Sequence, residues 1–165
     1  MTDVVYIAQR SWSDKFNDHI DNVLSRTFKT LDVRNATDYQ DKSEATDRIV
    51  CGKRIACRIR RNKYLRDYSN DFTLRAYVNS KETETEIQKV SKGYGDAIYY
   101  GFMNEGQTNI IDWFVGDLNV FRAELYYLMV NGKFQVIQNT QNNTKLIAFN
   151  RTHFSPKFIL NSSRL

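Results

Sequence analysis

Apolar positions recur at helical spacing near the start of the chain: Phe16, Ile20, Val23, Leu24 and Phe28, with Ser13 placed to cap them. This predicts a helix from about Ser13 to Phe28, whose Asp14, Asp18 and Asp21 form a solvated face. TLDVRN at 30–35 reads as a short strand. ATDYQDKSEAT has no periodicity and reads as an acidic loop, with Asp38, Asp41, Glu44 and Asp47 set against Lys42. The clearest local signal follows. DRIV and KRIACRIRR are strand-like runs joined by Cys51-Gly52, a hairpin signature. Ile55, Cys57 and Ile59 alternate with Arg54, Ala56, Arg58 and Arg60, so Arg58 and Arg60 share the opposite face. A turn centred on Gly52 brings Asp47 near Arg58.

Further on, NKYLRDYSND reads as a loop and DFTLRAYV as a strand. KETETEIQKVSK predicts a helix over about Glu82–Lys92, with Ile87 and Val90 facing the core and Glu82, Glu86 and Lys89 on another face. Gly93 and Gly95 interrupt it, and Tyr94, Ile98 and Phe102 resume a spacing of four, which reads as helix again. NIIDWFVGDL is a buried strand. NVFRAELYYLMV returns to helix and stops at Asn131-Gly132. KFQVIQ and KLIAFNR form a hairpin around QNTQNN, and the tail after Phe154 carries no signal. The order predicts an α/β fold: a single domain over 1–165, with a central mixed β-sheet that contains an antiparallel hairpin and is flanked by helices.

Composition narrows the class. At 165 residues, 41% hydrophobic and 26% charged, the chain suits one globular domain. No apolar run approaches the roughly 20 residues of a membrane span, so no membrane partner is expected. The first residues lack a basic and an apolar signal region, and Cys51 and Cys57 are too few for a disulfide framework. The expected location is cytoplasmic. The charge is more telling. Eight basic residues and no acid lie between Arg48 and Arg66, and the remainder of the chain is net −3. Such a patch fits a polyanion, most simply nucleic acid. The other reading is a strand face countered by nearby carboxylates. Arg54, Arg61, Lys63 and Arg66 are the expected nucleic-acid contacts, with Tyr64 and Tyr68 beside Arg66 as stacking rings.

His19 and His153 are the only histidines and the cysteines are six apart, which does not make a zinc site. No phosphate-cradling glycine motif is present. An Asp at a strand start facing cations on the paired strand suits Mg²⁺-dependent phosphodiester cleavage: the carboxylate holds the hard cation and the cation offsets phosphate charge. Asp47 with Arg58 and Arg60 fits that outline, and an Asp47–Arg58 pair with no metal fits it too.

ATD at 45–47, ACRIRR at 56–61 and IIDWFVGDLNVFR at 110–122, taken with the element order over about Ser13–Leu128, resemble the PD-(D/E)XK nuclease superfamily. The resemblance is to a divergent, phage-type member with the restriction-endonuclease-like fold. It implies a Mg-dependent nuclease acting on DNA or RNA in the host cytoplasm, with DNA as the first partner and a homodimer as one arrangement. The family motif places an acid and a Lys two apart on the second hairpin strand. Here those positions hold Arg58 and Arg60, or Cys57 and Ile59 in the other register. Asp47 matches the first acid. The second acid is then sought at Glu86, with Lys89 replacing the strand lysine, or at Asp38 and Glu44 before the hairpin. The implied catalytic set is Asp47, Arg58, Arg60 and Lys89, and the implied metal set Asp47, Asp38 and Glu86. The alternative is the same fold without catalysis, a module that binds nucleic acid or protein.

Overall fold

A computed structural model describes residues 11–77, 84–139 and 144–164. Along the chain run α1 (Asn17–Phe28), β1 (Val33–Asn35), α2 (Asp38–Glu44), β2 (Arg48–Val50) and β3 (Lys53–Arg60). A 3₁₀ turn at Asn62–Tyr64 leads into α3 (Leu65–Tyr68), then β4 (Asp71–Tyr77), α4 (Glu86–Ser91), β5 (Ala97–Met103) and β6 (Ile110–Asp117). The rest is α5 (Leu118–Val130), β7 (Gln135–Asn139), β8 (Thr144–Asn150) and β9 (Ile159–Ser162). The architecture is a single α/β domain with a mixed sheet and flanking helices.

The main sheet has the order β1-β2-β3-β5-β6-β9. β1, β2 and β3 form an antiparallel meander, with Arg48 opposite Ile55 and Val50 opposite Lys53. Cys51 and Gly52 turn the hairpin with φ of 47° and 76°. Both are left-handed, as a two-residue turn matched to strand twist requires, and Gly52 adopts this without strain. β5 then joins parallel to β3, with Cys57 opposite Tyr99, and β6 and β9 follow antiparallel. A parallel neighbour needs a crossover. Here it comprises the 61–70 segment, β4 and α4.

Alternation on β3 sorts the two faces. Ile55 packs with Phe16, Ile20, Val23 and Leu24 around α1, together with Val50, Tyr99 and Val115. Ala56 faces the other way, into a core shared with Ile98, Tyr100, Phe102 and Phe114, the α5 residues Phe121 and Leu128, and a second, three-stranded sheet of order β4-β8-β7. Phe72 of β4 lies at its centre. Its ring centroid is 5.5–6.3 Å from those of Tyr100, Phe114, Phe121, Phe149, Phe154 and Phe158. Gly116 is required here: a Cβ would come within 2.7 Å of the Phe158 ring.

Several expectations need correction. Residues 97–103 are the central strand β5, not resumed helix, and all of them are buried. A strand covered on both faces shows no alternation, and the four-residue spacing of Tyr94, Ile98 and Phe102 mimics a helix. The acidic stretch is a helix, α2, because Thr37 and Gln40 form a capping box. None of its residues is buried, so no apolar stripe announces it. The first helix proper starts at Asn17 rather than Ser13, after a separate helical turn at 11–14. The 62–68 segment carries helical turns, and the tail supplies β9. α4 starts at Glu86, behind a Thr85–Gln88 capping box, and the 82–83 part of the expected helix lies outside the described residues. The hairpin, β4, α5 and the β7–β8 pair stand as expected, with the tip of the last hairpin at 140–143 outside the described residues; β6 is the expected strand but is not buried throughout, since Ile111 is exposed.

Candidate functional site

Asp47 directly precedes β2 and is held to β3 at both ends. Its N–H donates to the Ile55 carbonyl at 2.8 Å, and its Oδ2 accepts from the Cys57 N–H at 2.6 Å. Burial pushes its pKa up. The Arg58 guanidinium and the Cys57 N–H pull it down, and the Asp41 and Glu86 charges push it up again, leaving a net rise. An ionised Asp47 therefore costs the fold stability, chiefly because burial disfavours its charge.

Arg58 leaves β3 on the same face. Its Nη2 and Nε both donate to Glu86 Oε1, at 2.6 and 3.1 Å. The Glu86 carboxylate comes first among the causes that raise the guanidinium pKa; burial opposes it and Asp47 adds to it. Glu86 itself is buried at the N-terminus of α4, where negative charge suits the helix dipole. Its Oε2 accepts from the Arg75 N–H at 3.1 Å, so it also closes the edge of β4. Lys89, one turn further along α4, donates from Nζ to the Lys42 carbonyl of α2, the helix that carries Asp38 and Asp41. Asp47, Arg58 and Glu86 are thus brought together, with Asp41 of α2 near enough to act on the Asp47 charge and Lys89 one turn along α4.

Arg60 turns away from this cluster. Its Nε donates to Tyr100 Oη at 2.7 Å and its Nη2 to Thr73 Oγ1. Arg54 binds Asp96 Oδ2 through its own N–H at 2.7 Å and through Nε at 3.3 Å, and the Gly93 carbonyl through Nη2 at 2.9 Å. Arg48 is buried, with Nε 2.8 Å from Asp21 Oδ1. Asp21 therefore leaves the solvated face expected of it. Asp96, Tyr100 and Thr73 are the partners that sequence reasoning missed. An acid just ahead of an apolar run was the available signal for Asp96.

Beyond Arg60 the setting changes. Arg61, Lys63 and Arg66 are exposed. Arg61 lies over the Trp12 ring at 5.8 Å and Lys63 over Tyr64 at 4.9 Å, while Arg66 bonds the adjacent Asp67 at 3.0 Å. This segment follows the C-terminal end of β3, and Asn62 Nδ2 ties it to the Met103 carbonyl at the end of β5, 3.1 Å away.

A hard divalent ion needs several unengaged oxygen ligands. Both Glu86 oxygens and Asp47 Oδ2 already accept N–H donors, and Arg58 supplies positive charge between them. Among the described residues no three His, Cys, Asp or Glu side chains are grouped to hold a metal. As arranged, the donor set does not fit Mg²⁺. Among the described residues no helix is long and apolar enough to cross a membrane.

No protein family, curated protein or solved structure matches the chain.

Proposed function

We propose that this chain is a nucleic-acid-binding module with a restriction-endonuclease-like framework, in which the Arg58–Glu86 ion pair beside Asp47 is a fixed structural element. The observation that carries the reading is the exposed run Arg61, Lys63 and Arg66 at the carboxyl end of β3, with no acid but Asp67 in the 60–68 segment. Open α/β sheets take their ligands at the carboxyl ends of strands, and lysine and arginine there meet phosphates directly. The order α1, antiparallel β1–β2–β3 with α2 inserted after β1, then β4, α4 and the parallel strand β5 supports the framework. The closed Arg58–Glu86 fork favours binding over hydrolysis.

The test is a binding assay on DNA and RNA oligonucleotides, run beside a cleavage assay with several divalent ions. The expected result is salt-sensitive binding with the substrates left intact. Divalent-dependent cleavage that disappears in Asp47→Ala would replace this reading with the hydrolytic one. Absence of binding to every oligonucleotide would remove it.

A further inference from the structure

Arg61 leaves β3, and the chain then makes a 3₁₀ turn and one helical turn before β4. Leu65 packs against the aromatic core and so anchors this segment on its inner side. Tyr64 and Tyr68 are four residues apart, which places them on one side of a helical segment. They are 38% and 44% exposed. Neither belongs to a core cluster, unlike Tyr99 and Tyr100 in β5. Cations surround the first ring: Lys63 Nζ lies 4.9 Å and Arg60 Cζ 5.8 Å from its centroid. Arg61 precedes the pair in sequence and Arg66 lies between its two members. Two exposed rings on a pinned segment, edged by three exposed cations, is costly surface for a solvated loop, because aromatic area is left in water.

We propose that residues 61–68 form a platform for single-stranded nucleic acid, with bases stacking on Tyr64 and Tyr68 and phosphates lying along Arg61, Lys63 and Arg66. This rests on the nucleic-acid reading above and narrows it to a strand class. Base faces are covered inside a duplex and open in a single strand, so exposed rings select the latter. Every base has a π-face, so the preference is for strandedness and not for sequence.

The test is fluorescence anisotropy with a labelled oligothymidine and with a duplex, at one salt concentration. The single strand is expected to bind tighter than the duplex by about tenfold or more. Tyr64→Ala with Tyr68→Ala is expected to weaken single-strand binding by about tenfold or more and leave duplex binding unchanged. Tyr64→Phe with Tyr68→Phe keeps the ring faces and is expected to bind like the parent. Equal or better duplex binding, or single-strand binding indifferent to the alanine pair, would overturn the platform while the nucleic-acid reading stands. Failure of the parent to bind either probe would overturn both.

Discussion

Residues 48–60 and 61–66 both look basic in the sequence, and, exposed Lys53 at the hairpin turn apart, the fold treats them in opposite ways. In the first, Arg48, Arg54, Arg58 and Arg60 rise from strands and meet partners far along the chain: Asp21, Asp96, Glu86, and Tyr100 with Thr73. In the second, Arg61, Lys63 and Arg66 sit outside the sheet, and among the described residues their one carboxylate partner is the adjacent Asp67. Charge density along a sequence therefore overstates the patch a partner meets. A strand buries its side chains against neighbouring elements, and a buried guanidinium must find a carboxylate or hydroxyl. A turn segment at the surface has no such requirement.

The largest expected effect is on the inner half. Glu86→Ala strips Arg58 of its fork and leaves the Arg75 N–H at the β4 edge without its acceptor. Breaking a fully buried pair costs more, but Arg58 is 40% exposed, so a loss of about 2 kcal/mol is expected in urea unfolding. A loss under about 0.5 kcal/mol, the level of an ordinary surface change, would mean that the inner arginines are no more committed than the outer ones. Arg48→Ala comes next. It removes a buried guanidinium paired with the half-exposed Asp21, for about 1–2 kcal/mol.

A smaller effect, of opposite sign, is expected at Asp47. Its folded pKa is raised, so the native state holds the proton more tightly than the unfolded chain. That contribution is fully present below the ordinary value of 3.8 and is lost as pH rises through the raised value. Asp47→Asn keeps an oxygen to accept from the Cys57 N–H and carries no charge. Its thermal midpoint is expected to exceed the parent's at neutral pH, and the difference should shrink toward pH 3. A lower midpoint at neutral pH would show that the Asp47 charge is stabilising through Arg58. The smallest expected effect on stability belongs to the outer half: Arg61→Ala, Lys63→Ala and Arg66→Ala together should leave the thermal midpoint where it is.

The inner cluster is partly legible in the sequence. Period-two alternation on β3 puts Arg58 opposite the Ile55 face, and the two-residue turn puts Asp47 beside it. Both follow from local rules that act within one hairpin. Glu86 is a candidate for its charge, but its two acceptor roles depend on how β4 and α4 meet, which no local pattern encodes. β5 escapes notice because both its faces are buried, which erases the period, and α2 because neither of its faces is. The outer residues are legible as cations. Their exposure, which separates them from Arg54 and Arg60, is set by the crossover that runs from β3 toward β5.

The most direct measurement of the central claim is the salt dependence of oligonucleotide affinity, compared between the parent and the Arg61/Lys63/Arg66 triple alanine variant. Removing one phosphate-binding cation lowers the slope of log affinity against log salt by roughly 0.7 for a single strand, so the triple change is expected to lower it by about 2. Affinity should fall for all sequences alike. A parent affinity indifferent to salt, or a triple variant with the parent's slope, would contradict the assignment of nucleic-acid binding to the outer half of the basic stretch.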